Sequence, residues 1–248
     1  MTFHDHFSGH APAYARARPH YPAELFAALA PRAPARHLAW DAGTGSGQAA
    51  LGLAEYFSRV VATDPSAAQL AEAPAHPRVE YRVGSAAESG LTSDSADFVS
   101  AAQAAHWFDL PRFYAEATRV LRPGGVLTLW CYGLSHVTPE IDKLVERFYH
   151  EIVGAYWPPE RRHIETGYRD LGFPFPDQPF PAMEMRQRWT LTEFREYLAT
   201  WSAVQRYRRE RGADPVELLL PALTRAWGAA EQPRPVTWPL TGRIGARP

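Results

Sequence analysis

HLAWDAGTGSG, residues 37 to 47, decides the fold, because it has the pattern of a short buried strand that runs into a glycine-rich turn and then a helix. Three glycines in five residues at a strand's end predict backbone torsions with φ > 0, or close approach of another molecule to the main chain. Asp41 adds a charged acceptor at the carboxyl end of the strand, where open α/β sheets bind their ligands. We interpret the stretch as a cofactor-binding turn, with a purely structural turn as the alternative from this run alone.

A second acid lies at the distance that such a turn requires. Asp64 follows the apolar residues 60–63 and lies just over twenty residues beyond the start of the glycine turn. A carboxylate at the end of the second strand accepts hydrogen bonds from ribose hydroxyls in nucleotide-binding sheets. Two separate features of the sequence therefore predict the same kind of site.

Strands alternate with helices along the whole chain. Apolar runs and alternation predict strands at residues 38–41, 60–64, 79–83, 96–102, 126–130, 183–189 and 235–240. Helical spacing predicts helices at residues 22–30, 48–57, 67–73, 109–121, 139–153, 192–204 and 215–227. This rhythm predicts an α/β fold with a seven-stranded, mostly parallel sheet covered by helices on both faces.

Prolines mark the irregular parts of the second half of the chain. Residues 157–163 cannot form one continuous helix, because Pro158 and Pro159 interrupt it. Residues 173–181 hold four prolines and three phenylalanines, which predicts a loop packed on an apolar surface. We therefore expect a small helical and loop lobe at residues 133–232, between the core and the last strand.

Composition narrows the class of protein. The 248 residues carry 26 basic and 27 acidic side chains, so no overall field favours nucleic acid or an anionic membrane. Cys131 is the one cysteine, which excludes an intrachain disulfide, and no signal-peptide pattern opens the chain, so we expect a cytoplasmic protein. His4, His6 and His10 lack the companions of a metal site, and no metal is predicted.

The motifs resemble those of the class I S-adenosylmethionine-dependent methyltransferases. Residues 41–47 look like the glycine loop of that family, and Asp64 looks like its ribose-binding acid. Residues 95–99 and 121–127 look like its fourth-strand and fifth-strand signatures. The resemblance implies a Rossmann-like fold and S-adenosyl-L-methionine as cofactor, with S-adenosyl-L-homocysteine as product. It also implies a single domain over residues 1–248, divided into an arm and helix (1–34), a cofactor-binding core (35–132), a substrate-side lobe (133–232) and a last strand and tail (233–248).

A narrower resemblance is to the small-molecule subfamily of trans-aconitate methyltransferase-like proteins. Residues 14–22, 105–108, 160–164 and 173–175 carry it. It implies a small-molecule methyl acceptor, with a carboxylate oxygen as one candidate, and no nucleic-acid or membrane partner. The identity of the acceptor, the atom that is methylated and the oligomeric state stay open.

Site residues follow from the resemblance. It implies cofactor contacts from Tyr14, Arg18, Asp41, Gly43, Thr44, Gly45, Asp64, Ser85, Ala86, Ala87 and Gln103. Acceptor contacts are expected from Tyr21, His106, Trp107, Trp157, Arg161 and Arg162, and Tyr14, Arg18 and Tyr21 are candidates for a lid. His106 is the candidate general base, needed only if the acceptor is a hydroxyl or a carbon acid, because a carboxylate is already ionised at neutral pH.

Two other classes of function share these features. A nicotinamide-dependent oxidoreductase also has a strand, a glycine loop and a distal acid, although its last glycine is expected at position 48, where this chain has Gln48. A catalytically silent protein that binds S-adenosylmethionine for regulation is the other alternative.

Overall fold

A computed structural model describes residues 17–248 of the chain. The strands are β1 (Leu38–Ala42), β2 (Arg59–Asp64), β3 (Val79–Val83), β4 (Ala96–Ala102), β5 (Leu121–Tyr132), β6 (Met183–Trp189) and β7 (Arg234–Ala246). The α-helices are α1 (Ala23–Leu29), α2 (Gln48–Ala54), α3 (Ala67–Ala71), α4 (Leu110–Val120), α5 (Pro139–Arg147), α6 (Arg162–Glu165), α7 (Leu191–Ala199), α8 (Ser202–Arg211) and α9 (Val216–Trp227).

All seven strands belong to one sheet in the order β3-β2-β1-β4-β5-β7-β6. Strands β1 to β5 run parallel, and β7 lies antiparallel between β5 and β6. The strand order reverses between β1 and β4, and such a switch point leaves a crevice at the carboxyl ends of the strands. The mostly parallel, Rossmann-like sheet predicted from the sequence is confirmed.

Neighbouring residues of the central strands pack into two separate cores. On β1, Ala39 belongs to the core beneath α1, α2 and the late helices α5 and α7 to α9. The next residue, Trp40, belongs to the opposite core with Phe113 of α4. Because side chains alternate along a strand, apolar residues at consecutive positions mean that both faces are buried. Helices therefore cover both faces, as the strand pattern predicts.

The helix predicted over residues 192–204 is wrong as a single element. The structure has two helices, α7 and α8, separated at Thr200 and Trp201. The Thr200 hydroxyl donates to the Tyr197 carbonyl oxygen at 2.6 Å, and the Trp201 backbone is extended. The Trp201 ring is 3% exposed and packs against the rings of Phe148, Tyr149 and Trp157. Tertiary packing of one aromatic ring thus outweighs local helix preference.

Residues 173–181 pack on β7, as predicted for an apolar loop. A Cβ atom at Gly242 would lie 2.8 Å from the ring of Phe180, and one at Gly245 would lie 3.0 Å from the ring of Phe173. The loop excludes a side chain at Gly245, whereas at Gly242 the Leu129 carbonyl oxygen of β5 excludes one together with the Phe180 ring. This loop is thereby fixed to the sheet at β7.

Candidate functional site

The glycine loop has the left-handed backbone that its sequence predicts. Gly43, Gly45 and Gly47 have φ values of +67°, +56° and +84°. A Cβ atom at Gly43 would lie 2.7 Å from the Cβ of Ala104 and 2.9 Å from the ring of Phe108. The loop therefore requires glycine at position 43 for two reasons, torsion and space.

Asp64 closes the loop from the neighbouring strand. Its Oδ2 accepts a hydrogen bond from the Gly45 N–H at 2.9 Å, and its Oδ1 accepts one from the Ser66 N–H at 2.8 Å. The residue is 9% exposed and faces a cavity at the carboxyl ends of β1, β2 and β4. A carboxylate fixed in this way can accept further hydrogen bonds from a ligand, because each oxygen has more than one acceptor site.

The cavity has a volume of about 580 Å³, which lies within the usual range of small-molecule sites. Eleven of the residues expected from the sequence line it: Arg18, Tyr21, Gly43, Thr44, Gly45, Asp64, Ser85, Ala86, Ala87, Gln103 and Trp107. Residues that the sequence reasoning missed also line it: Ser46, Gln48, Ala49, Pro65, Ser66, Gln69, Ala102, Ala104, Phe108, Asp109, Arg112, Tyr132 and Glu160. Six of these thirteen missed residues adjoin a predicted one in the sequence, namely Ser46, Pro65, Ala102, Ala104, Phe108 and Glu160, and for them that adjacency was the available signal.

Asp41 lies beneath the cavity instead of in its wall. It is fully buried, and its carboxylate accepts hydrogen bonds of 2.6 Å from the hydroxyls of Thr44 and Ser100. Burial, helped by the negative charge of Asp64, raises the pKa of Asp41 to about 6 against the lowering by the two hydroxyls. Asp41 thus ties the glycine loop to β4, and its expected contact with a ligand stays a prediction.

Gln103 turns the chain out of the sheet at the end of β4. Its φ of +54° is unusual for a residue with a side chain. The side-chain amide compensates by pairing with the next strand: Oε1 accepts from the Tyr132 N–H at 2.9 Å, and Nε2 donates to the Tyr132 carbonyl oxygen at 3.2 Å. The residue therefore lines the cavity while its amide is committed to β5.

The structure does not bring His106 into the described cavity wall. The ring is 7% exposed, stacks near Trp107, and its Nδ1 lies 2.9 Å from the Tyr168 hydroxyl. Burial, followed by the positive charges of Arg161 and His163, lowers the pKa of His106 well below 6.5. Burial also raises the pKa of Tyr168, so the pair is neutral at pH 7. A neutral imidazole with a depressed pKa is a weak base, and the catalytic role predicted for His106 is untested.

Two of the three lid candidates, Arg18 and Tyr21, lie at the cavity. Arg18 donates from Nη1 to the Tyr132 hydroxyl at 3.2 Å, and its guanidinium lies 5.5 Å from the centre of the Tyr197 ring. Tyr21 packs edge-on against Phe26 and Trp130. Tyr14 lies outside the described residues, and the lid stays a prediction.

Arg161 and Arg162, both expected to contact the acceptor, lie in different environments. The Arg161 guanidinium is half-buried, lies 4.7 Å from the centre of the Trp157 ring, and donates from Nε to the Tyr149 hydroxyl at 2.9 Å. Arg162 is exposed at the start of α6. The structure thus fixes the side chain of Arg161 and leaves Arg162 exposed, and the acceptor contacts expected from both arginines stay predictions. Trp157 and both arginines lie outside the described cavity wall, while Glu160 is part of it.

Two negative findings apply to residues 17–248. These residues contain no group of three histidine, cysteine, aspartate or glutamate side chains arranged to hold a metal ion. None of the helices in the same range is both long and apolar enough to cross a membrane.

Comparisons with known proteins agree on one family. A family model described as a methyltransferase domain matches residues 40–129. A Dictyostelium discoideum protein named as a methyltransferase is 35% identical over 229 residues, which cover 91% of this chain and 87% of that protein. A Saccharomyces cerevisiae protein named as an S-adenosylmethionine-dependent methyltransferase is 26% identical and covers 82% of each chain.

A solved structure extends this likeness to the whole fold. It is described as a type II methyltransferase from Anaeromyxobacter dehalogenans and superimposes with a TM-score of 0.86 at 53% identity. The match covers 92% of this chain and 97% of that one, so it includes the lobe as well as the core.

Proposed function

This chain belongs to the class I S-adenosylmethionine-dependent methyltransferases, and on that premise we propose that it methylates a small molecule at a carboxylate oxygen. The chain is an enzyme whose cofactor is S-adenosyl-L-methionine. The nicotinamide-dependent and catalytically silent alternatives are accordingly wrong. The trans-aconitate methyltransferase-like subfamily stays a proposal.

The cavity fits this cofactor in two observed respects. Gly43 and Gly45 line the cavity with main chain alone, and Asp64 presents a fixed carboxylate at the end of β2. Asp64 would accept hydrogen bonds from the ribose hydroxyls, residues 85–87 would flank the adenine, and the glycine loop would hold the methionine part. When bound, the cofactor supplies a methyl group on a positively charged sulfur. The residues of the wall need only orient the acceptor and exclude water.

The observation that carries the proposed acceptor is the placement of His106. An amine or a phenol must lose a proton before or during transfer, which calls for a base near the acceptor. His106 is directed to Tyr168, its pKa is depressed, and neither a histidine nor a lysine belongs to the described wall. A carboxylate is ionised at pH 7 and needs no base. Arg18 and Arg112 are the cations of the wall that would pair with this carboxylate, beside the acids Asp64, Asp109 and Glu160.

A panel of matched acceptors tests the proposal. Aromatic and aliphatic skeletons are each supplied as the carboxylic acid, the alcohol or phenol, and the amine, and S-adenosyl-L-homocysteine release is measured. We expect release with carboxylic acids, together with a methyl ester that alkali hydrolyses. Asp64→Ala serves as the control that loses cofactor binding. Turnover of amines or phenols without any acid refutes the carboxylate acceptor and leaves the methyltransferase assignment intact.

A further inference from the structure

Arg161 differs from most half-buried arginines among residues 17–248, because no carboxylate in that range pairs with it. Six of those arginines have a carboxylate within ion-pair distance: Arg82, Arg122, Arg195, Arg208, Arg243 and Arg247. Two others, Arg32 and Arg234, donate to backbone carbonyl oxygens. A cation partly removed from water is costly unless an acceptor compensates it. The Arg161 guanidinium thus has unused capacity to bind an anion.

The orientation of this guanidinium is fixed from behind. Nε donates to the Tyr149 hydroxyl at 2.9 Å, and that hydroxyl donates to Oε1 of Glu165 at 2.5 Å. Burial raises the pKa of Tyr149 to about 12, so the hydroxyl keeps the proton that it donates. We call Arg161, Tyr149 and Glu165 the Arg161 anchor.

Two aromatic rings also pack against the Arg161 guanidinium. The guanidinium carbon lies 4.7 Å from the centre of the Trp157 ring and 5.4 Å from that of Tyr149. Trp157 in turn donates from Nε1 to the Tyr149 carbonyl oxygen at 3.2 Å. Neither Nη1 nor Nη2 of Arg161 has a hydrogen-bond partner within the described part of the chain. Nη1 and Nη2 of Arg161 therefore form a preorganised pair of donors whose geometry matches a carboxylate.

The Arg161 anchor adjoins the cavity through the turn that carries Arg161. The turn at residues 159–161 packs on the turn at residues 105–107, and each contributes one residue to the cavity wall, Glu160 and Trp107. The positive charge of Arg161 reaches across this contact, since it helps to lower the pKa of His106. An anionic group that enters past Trp107 thus meets the field of Arg161.

We propose that Arg161 is the residue that selects the acceptor by binding its carboxylate or a similar oxyanion, and that Tyr149 and Glu165 are positioning residues that aim it. The acceptor class rests on the proposed function, whereas the anion site rests on the anchor geometry. Glu160 and Arg161 carry opposite charges on the same turn. Glu160 disfavours an anion at the cavity wall, and Arg161 favours an anion that passes beyond the wall.

Steady-state kinetics with an accepted carboxylic acid tests the roles. Arg161→Lys keeps the charge and removes the paired donors, and Tyr149→Phe keeps the ring and removes the hydroxyl. We expect the acceptor KM to rise about tenfold or more for Arg161→Lys and severalfold for Tyr149→Phe, with kcat and the cofactor KM within about twofold. Glu165→Gln should have a smaller effect, because the amide oxygen can still accept from Tyr149. Arg169→Gln, which changes an exposed arginine of the same segment, is the matched control for a removed charge.

A binding experiment keeps the anion site testable without turnover. The full chain loaded with S-adenosyl-L-homocysteine is titrated with acetate, and the Nε–H resonance of Arg161, assigned by its loss in Arg161→Lys, is followed by nitrogen-edited NMR. We expect a saturable shift that weakens in Tyr149→Phe and persists in Arg169→Gln. A resonance that acetate does not move, or a KM pattern equal to that of Arg169→Gln, overturns the proposal. A saturable shift in an enzyme that esterifies no acid supports the anion site and refutes the proposed acceptor.

Discussion

Asp41→Asn tests the account of the buried carboxylate under the glycine loop. The pKa of Asp41 rises from 3.8 to about 6, mainly because the carboxylate has left water. A shift of about two pKa units corresponds to about 3 kcal/mol between the protonated and ionised forms. Ionised Asp41 at pH 7 thus costs the folded enzyme stability of that order, despite its hydrogen bonds to Thr44 and Ser100.

The sign of the pH dependence follows from proton linkage. Between pH 4 and pH 6 the folded state binds more protons at Asp41 than the unfolded state does. The contribution of Asp41 to stability is therefore fully present below pH 3.8 and is lost as the pH rises through about 6. The side-chain amide of the Asp41→Asn variant does not titrate. The free energy of unfolding of this variant minus that of the wild type should therefore increase with pH across this window, by up to about 3 kcal/mol.

Urea unfolding of the cofactor-free enzyme from pH 4.5 to pH 7.5, at constant ionic strength, measures this difference. Ser100→Ala is the informative companion, since the Ser100 hydroxyl lowers the pKa of Asp41 and its removal should move the transition to higher pH. A difference between the wild type and Asp41→Asn that is constant with pH refutes the reasoning. A difference that decreases as the pH rises would mean that ionised Asp41 stabilises the fold.

Three further substitutions separate binding, backbone and base roles. Asp64→Ala should weaken S-adenosyl-L-homocysteine at least tenfold by calorimetry, because charged hydrogen bonds to the ribose are lost; an unchanged affinity excludes that role. Gly43→Ala should destabilise the enzyme by about 1–3 kcal/mol and weaken the cofactor, since its Cβ would lie 2.7 Å from that of Ala104; an unchanged melting temperature contradicts this. His106→Gln should lower stability through Tyr168 while kcat stays within about threefold, and a hundredfold loss of kcat would instead make His106 the base.

The sequence predicts the glycine loop and the position of Asp64 beside it, because the determinants of both are local. Glycines at positions 43, 45 and 47 enforce the turn by their own torsions, and Asp64 reaches the same cavity because parallel strands end at one edge. These residues need only the strand pattern and the spacing to be placed. Asp41 shows the limit, since the chemistry of a carboxylate was predictable and its direction, into the sheet and away from the cavity, was not.

The surroundings of Arg161 in the lobe depend on packing between segments that are distant in the sequence. Adjacent arginines at positions 161 and 162 are equivalent in the sequence, yet an aromatic cage that includes Tyr149 and Trp157 holds only the first. Contacts between a lobe and a sheet are set by side-chain volumes from many elements, which a single sequence does not order.

The crevice forms where β1 and β4 lie side by side and then leave the sheet. Asp41 and Ser100 are paired in the strand register, and their side chains join the two strands directly beneath the cavity. Within three residues both segments leave the sheet in left-handed conformation, at Gly43 and at Gln103. The Gln103 amide holds β5 in place while its own backbone turns away, so the cavity opens without a gap in the sheet below it. Substitutions in the Asp41–Ser100 pair should therefore alter the cavity from below while every lining residue is retained.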